Sequence, residues 1–224
     1  MRNNDRELTG LAGLFAILGY FLAVFLLFIF GLVLTSPAKA AVPEAAKAHQ
    51  RTLTRTAYAF WGLDAPVATF AAQIHQESSW HIDARSPAGA EGLAQFMPAT
   101  SDWFARINPR DLTTAQPYNP AWSMRAMVLY NQWLYRRITA FDHCNRMAFT
   151  LSAYNGGLGW VQRDQALASA SGADRLMYAA VAPFNAGRSA ANIVENRHYV
   201  DAIINRHQPL YMQAGWGAGV CYVD

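Results

Sequence analysis

The side chain best placed for acid–base chemistry is Glu77, which lies in an apolar helical stripe. If PVATFAAQIHQES is helical, Val67, Phe70, Ile74 and Glu77 recur at helical spacing. A carboxyl group in a cleft wall loses solvation, so its pKa rises and it keeps its proton near neutral pH. Such a group is a general acid that can protonate a glycosidic oxygen. The alternative is a solvated glutamate at a fraying helix end.

A second catalytic group does not stand out. Glycosidases ordinarily place two carboxylates across the scissile bond, but Asp83, Glu91 and Asp102 each fall in a polar loop or an early helical turn. His75 and Glu77 are two residues apart, there is no HExxH, and the other histidines are scattered. The sequence therefore offers no clear partner for Glu77 among the carboxylates, and no metal or cofactor is expected.

The elements that must position Glu77 are predicted to be helices. Apolar residues recur at helical spacing in several segments, and no stretch shows sustained alternation with a period of two. Proline and glycine residues mark several of the boundaries. We therefore expect an all-α body. The helical segments are 43–61, the run that Pro66 opens, 121–138, 145–155 and 190–207.

The N-terminal region predicts a membrane segment. Leu11–Leu34 is a run of 24 residues without a charge, and at about 1.5 Å per residue a helix of that length would cross roughly 30 Å of bilayer. Ala38-Lys39-Ala40 resembles a signal peptidase site. A secretory apolar core is usually about 7–15 residues long, which favours an uncleaved anchor. Export after cleavage near Ala40 is the alternative.

Charge and cysteine content narrow the function classes. The formal net charge is +3, and no Lys/Arg run interleaved with aromatic residues occurs, so nucleic acid is not an expected partner. Cys144 and Cys221 form no CxxC motif. On composition alone they are either a disulfide or two separate buried thiols.

Several spaced motifs together resemble the soluble lytic transglycosylase (SLT) family, part of the goose-type lysozyme-like group. The resemblance covers roughly residues 64–206, leaving a short N-terminal segment 1–10, an apolar helix 11–34, a linker and leading helix 35–63, and a tail 207–224 outside it. It departs at Ser123, where the family commonly has Asn, and in a long linker at 164–188. The motifs are Glu77-Ser78, SPAGA at 86–90, Gly92-Leu93, Gln95, MPAT at 97–100, AYNGG at 153–157, and Glu195 with Tyr199-Val200.

The resemblance implies a compact helical lysozyme-like fold with a groove for peptidoglycan glycan strands. It implies that Glu77 is the sole catalytic carboxylate, first acid and then base, in cleavage of the β-1,4 bond between N-acetylmuramic acid and N-acetylglucosamine. The 2-acetamido group of the muramic acid would supply the nucleophile. Its C6 hydroxyl would then close a 1,6-anhydro ring.

The other motif residues are expected to bind substrate. The resemblance assigns Tyr154 and Asn155 to positioning Glu77 and the acetamido carbonyl. Gln95 and Ser86 are candidates for sugar hydroxyls or the peptide stem, although turn formation explains Ser86 equally well. Tyr199 lines the groove or belongs to the core. Met97 completes the substrate-binding set, and glycines 89 and 92 would let backbone approach the ligand.

This function implies an extracytoplasmic body. We expect the catalytic domain in the periplasm, anchored to the inner membrane, with a Cys144–Cys221 disulfide holding the tail. The expected partners are peptidoglycan strands and the membrane. Two alternatives are a membrane-anchored scaffold that binds peptidoglycan without turnover and a muramidase that hydrolyses the same bond. A wall-remodelling enzyme, a secretion-system helper and a phage lysis or entry protein would all use such a domain.

Overall fold

The structure is a computed structural model that describes residues 41–221, and this part of the chain consists of helices joined by turns and loops. It contains no strand, only two isolated bridges that join Glu91 to Arg85 and to Phe96. The prediction of an all-α body is confirmed. In chain order the elements are α1 Glu44–Lys47, α2 Gln50–Trp61, α3 Val67–Ser78, α4 Pro98–Ile107, α5 Pro120–Tyr135, α6 His143–Gly156, α7 Leu158–Ala170, α8 Tyr178–Val181, α9 Ala190–Asp201, a π-helical segment Ala202–His207, and α10 Gln208–Gln213.

The predicted N-terminal segment 1–10, the apolar helix 11–34 and the cleavage site at Ala40 lie outside the described residues. Between residues 41 and 221, every helix is too short or too polar to cross a bilayer.

Local sequence explains where the helices begin and end. The Asn119 side chain accepts hydrogen bonds from two backbone amides at the start of α5, and Pro120 occupies the first turn. Asp142 caps α6 through the amide of Asn145. The chain leaves α6 at Gly157, whose φ of 96° suits glycine. This stop places Asn155 in the last turn of α6.

Helix α3 runs through the core. Val67, Phe70 and Ile74 are fully buried, and the helix packs against α2, the π-helical segment and α10. Fully burying such a side chain stabilises the fold by about 1.5–3 kcal/mol. The apolar stripe inferred from the sequence is therefore the inner face of a central helix, and Glu77 comes at the end of that face.

The C-terminal tail belongs to the same body. The structure forms one compact unit from Ala41 onward, with Trp216 and Val220 buried in the core. Gln208 holds the tail by donating to the carbonyl of Val220 at 2.8 Å and accepting from its amide at 3.0 Å. The tail is therefore packed against the helices that precede it.

A disulfide joins Cys144 to Cys221, with 4.7 Å between the Cα atoms. It connects the first turn of α6 to the tail, across a sequence separation of 77 residues. Closing a loop of that length is worth about 4 kcal/mol by chain entropy. The tail is thus held by a covalent link in addition to its packing.

Candidate active site

Glu77 occupies the last turn of α3 and is half-buried. Immediately after it the backbone turns sharply, because Ser79 and Trp80 adopt left-handed φ values of 50° and 68°. The negative end of a helix dipole disfavours a further negative charge at this position. The location alone therefore favours a protonated carboxyl group.

The environment raises the pKa of Glu77 to about 8. Burial is the largest cause, and the nearby charge of Glu195 adds to it. The hydroxyl of Tyr199 works in the opposite direction, because it donates a hydrogen bond to Oε1 of Glu77 at 2.5 Å. Glu77 therefore carries a proton at neutral pH and has a donor ready for the ionised form, as a general acid requires.

Tyr199 reaches Glu77 from the core. Its side chain is 4% exposed, so it is a core residue with only its hydroxyl aimed at the site. Sequence analysis left open whether it lined the groove or packed inside. The structure places it behind the carboxyl group, in contact with Glu77.

Tyr154 lies beside Glu77 and supports the neighbouring loop. Its ring contacts those of Phe96 and Tyr130, with centroids 5.7 Å and 5.4 Å away. Its hydroxyl donates to the carbonyl of Ala94 at 2.8 Å. Burial raises the pKa of Tyr154, and the charge of Glu77 raises it further. The phenol thus stays protonated and holds the loop at Ala94.

The amide of Asn155 has a defined orientation. Its Oδ1 accepts a hydrogen bond from Nδ2 of Asn196 at 2.8 Å, so its own NH2 group points the other way, 3.5 Å from Oε1 of Glu195. Asn155 is exposed. A donor is therefore presented at the surface of the site, where a carbonyl oxygen of a ligand can accept it.

A buried network holds Asn196 in place. Asn196 is 1% exposed and bonds to both the hydroxyl and the carbonyl of Ser152. Its Oδ1 also accepts from Arg188 and Arg197. Both arginines pair with Asp164, which is 1% exposed. Sequence analysis did not identify this network. The one signal in the sequence was that Asn196 lies three residues before Tyr199 on the same helix.

Two polar side chains of the loop before α4 form hydrogen bonds within that loop. Ser86 Oγ accepts from the amide of Ala90 at 2.9 Å. The Gln95 amide donates to the carbonyls of Ala84 and Gly92. Both side chains thus stabilise the turn, which was the alternative role considered for Ser86. Met97 is 44% exposed and is the N-cap residue of α4, so its side chain remains available at the loop surface.

At Gly92 the close approach is between two segments of the protein itself. Its φ is 71°, and a Cβ atom there would come within 1.8 Å of the Pro117 carbonyl oxygen. The sequence suggested that this glycine lets backbone approach a ligand. In the structure it lets two backbone segments of the chain approach each other.

Among the carboxylates of the described region, Glu195 is the one whose charge acts on Glu77. Asp83 and Asp102 are exposed, and Glu91 takes part in the two backbone bridges. Within residues 41–221 no group of three His, Cys, Asp or Glu side chains converges in a way that could hold a metal ion. Glu195 also lines a polar cleft with Asn155, Trp160 and Asn192.

Comparison with known proteins identifies the family. Residues 59–177 match the model of the transglycosylase SLT domain. The chain belongs to this family, as its motifs predicted.

The similar proteins that carry names are lytic murein transglycosylases. The chain is 29% identical over 161 residues to membrane-bound lytic murein transglycosylase F of Actinobacillus succinogenes, a match that covers 62% of this chain and 31% of the relative. It is 27% identical over 159 residues to the soluble lytic murein transglycosylase of Escherichia coli K12, covering 70% of this chain and 24% of that protein. The chain thus spans less than a third of the length of these relatives.

Solved structures show the same fold. An inactive mutant of lytic transglycosylase Slt from Pseudomonas aeruginosa superposes with a TM-score of 0.61 at 22% identity, covering 92% of this chain and 31% of the other. The 70 kDa soluble lytic transglycosylase of Escherichia coli gives 0.57 at 23% identity, covering 75% and 25%. The lysozyme-like helical fold expected from the motifs is confirmed.

Proposed function

We propose that this protein is a peptidoglycan lytic transglycosylase that cleaves the β-1,4 bond between N-acetylmuramic acid and N-acetylglucosamine. The observation that carries the proposal is Glu77, a half-buried carboxyl group with a pKa near 8 and a tyrosine donor. Membership of the SLT family and the naming of its relatives as lytic murein transglycosylases support the same reaction.

In the first step, Glu77 gives its proton to the glycosidic oxygen as the bond to C1 of the muramic acid breaks. The 2-acetamido oxygen of the same sugar bonds to C1. The ionised Glu77 then accepts the hydrogen bond of Tyr199. Asn155 donates its NH2 group to the acetamido carbonyl, which orients that oxygen for attack.

In the second step, Glu77 acts as the base. It removes the proton of the C6 hydroxyl, whose oxygen bonds to C1 as the bond to the acetamido oxygen breaks. Glu77 is thereby returned to its protonated form, and the product carries a 1,6-anhydro end. No water is consumed, so one titrating carboxyl group suffices for both steps.

A muramidase is the second candidate, because Glu195 lies close enough to act on Glu77. A hydrolase needs a second carboxylate to activate water or to stabilise the intermediate. Glu195 is exposed and bonds to Asn155 at 3.5 Å, and it would have to take that role.

The products distinguish these functions. Purified full-length protein is incubated with purified sacculi, and the released muropeptides are identified by mass spectrometry. We expect anhydro ends, lighter by one water than hydrolytic ends, with Glu77→Gln inactive and Glu195→Gln still active. Hydrolytic ends that disappear in Glu195→Gln would establish the muramidase instead. Sedimentation with sacculi without any product would indicate a binding scaffold.

We propose further that the body acts on the peptidoglycan side of the membrane, in the periplasm, held by the segment 11–34 or released after cleavage near Ala40. The Cys144–Cys221 disulfide supports an oxidising compartment, and one relative is named membrane-bound. Protease added to spheroplasts should digest the body. Protection from that protease would contradict the location.

A further inference from the structure

Behind Glu77, polar side chains from separate helices meet inside the core. Gln73 on α3 and Asn131 on α5 are both fully buried. Gln73 lies one helical turn before Glu77 in a helix whose other inward residues are mainly apolar. A buried amide costs about 1–3 kcal/mol unless it is hydrogen-bonded. Two such amides next to a reactive carboxyl group therefore call for a physical explanation.

These side chains form a continuous chain of hydrogen bonds that ends at the carboxyl group. Asn131 Nδ2 donates to Oε1 of Gln73 at 2.6 Å. Gln73 Nε2 donates to the hydroxyl oxygen of Tyr199 at 3.2 Å. Tyr199 then donates to Oε1 of Glu77 at 2.5 Å.

The chain has a direction. In the structure the Gln73 oxygen accepts from Asn131 Nδ2 and the NH2 group of Gln73 faces Tyr199. The Oδ1 atom of Asn131 is buried without a hydrogen-bond partner among residues 41–221. The hydroxyl oxygen of Tyr199 accepts the bond from Gln73, and its single proton is left for Glu77. The opposite orientation would turn the Tyr199 proton towards Gln73 and leave lone pairs facing an ionised Glu77.

We propose that Gln73 and Asn131 are positioning residues of the catalytic carboxyl group: they fix Tyr199 as a donor to Oε1 of Glu77, so that Oε2 carries the transferable proton. This inference rests on the proposed function. It adds two residues outside the family motifs described above, and neither lies among the groups that line the site.

The hydrogen bonds that run from Asn131 through Gln73 and Tyr199 to Glu77 form a relay. This relay acts on the ionised form of Glu77. Hydrogen bonds in series polarise one another, so a tyrosine that accepts a bond from Gln73 is a stronger donor. A stronger donor stabilises the carboxylate that forms when the proton is transferred. Loss of Gln73 should therefore raise the pKa of Glu77 and slow the acid step, while substrate binding changes little.

The test compares Gln73→Met, Tyr199→Phe and the double variant in the full-length protein. The pKa of Glu77 is read without substrate, by NMR of 13C-labelled carboxyl groups. We expect it to rise in Gln73→Met and to rise further in Tyr199→Phe. In the double variant it should equal that of Tyr199→Phe, since Gln73 acts only through the tyrosine. The kcat of Gln73→Met should fall about tenfold, with KM within about twofold of wild type.

A matched control is Gln208→Met. Gln208 is also fully buried and bonds to Thr69 and the tail, but it has no link to Glu77. It should lower the melting temperature without moving the Glu77 titration. If Gln73→Met does not fold, Asn131→Leu tests the same relay and should shift the titration in the same direction.

Two results would overturn the relay. One is an unchanged Glu77 titration in folded Gln73→Met. The other is a double variant whose shift is the sum of the single shifts. Because the titration uses no substrate, this outcome is independent of the reaction, which is decided separately by the muropeptides of the wild type.

Discussion

Replacing Glu77 by glutamine should remove activity and at the same time stabilise the fold at alkaline pH. The pKa of Glu77 is about 8 in the folded protein, against an ordinary value of 4.5. Between these pH values the folded state binds a proton that the unfolded state has lost, so the free energy of unfolding falls as pH rises. At 1.36 kcal/mol per pH unit, the loss reaches about 5 kcal/mol above pH 8. Glutamine cannot ionise, so the Glu77→Gln variant does not lose this stability as pH rises.

Urea unfolding at several pH values measures the effect. At pH 4.5 the wild type and Glu77→Gln should have similar free energies of unfolding, because both side chains are neutral. At pH 9 the variant should be more stable by several kcal/mol, with about 5 kcal/mol as the ceiling. Asp83→Asn, which neutralises an exposed carboxylate, is the matched control and should lack this divergence. A difference between wild type and Glu77→Gln that stays constant with pH would refute the buried-acid assignment.

The catalytic consequence of the same variant is measured in parallel. General acid catalysis contributes about 10²- to 10⁴-fold, so Glu77→Gln should lose at least that factor in muropeptide release. Because the variant is expected to be as stable as the wild type or more so, unfolding cannot account for the loss. Normal turnover in the folded variant would disprove the role of Glu77.

Asn155→Ala should lower kcat about 10²-fold through loss of the donor to the acetamido group, with little change in melting temperature because the side chain is exposed; a lower melting temperature with normal kcat would contradict this. Gly92→Ala should cost about 3 kcal/mol in denaturant unfolding, since it combines a positive φ with a backbone clash. Burial lowers the pKa of His207 from 6.5 to about 4, so stability that is present above pH 6.5 should be lost as pH falls towards 4, by up to about 3 kcal/mol. His207→Gln should lack this acid-induced loss. Removing the disulfide with Cys144→Ser and Cys221→Ser should lower the free energy of unfolding by about 2–4 kcal/mol and raise the protease sensitivity of the tail.

Sequence periodicity and motifs were sufficient for the fold class, and they led to the proposal of Glu77 as the central residue of the site. The spacing of Val67, Phe70 and Ile74 identified the buried face of α3, because helical period depends only on neighbours along the chain. The same stripe pointed to Glu77. The disulfide could also be predicted from the sequence, since an exported domain with two cysteines favours one bridge.

The tertiary structure decided what each of these residues contacts. The hydroxyl that contacts Glu77 comes from Tyr199, 122 positions away, and the amide orientation of Asn155 depends on Asn196 and a buried Asp164. A local sequence pattern indicates which side of a helix faces inward. It does not indicate which side chains of other helices pack against that side. The hydrogen-bond partners of Glu77 and its pKa depend on that packing, because packing sets the distances between side chains and their burial. Gly92 shows the same division: its flexibility is visible in the sequence, whereas its need for space comes from Pro117 across the fold.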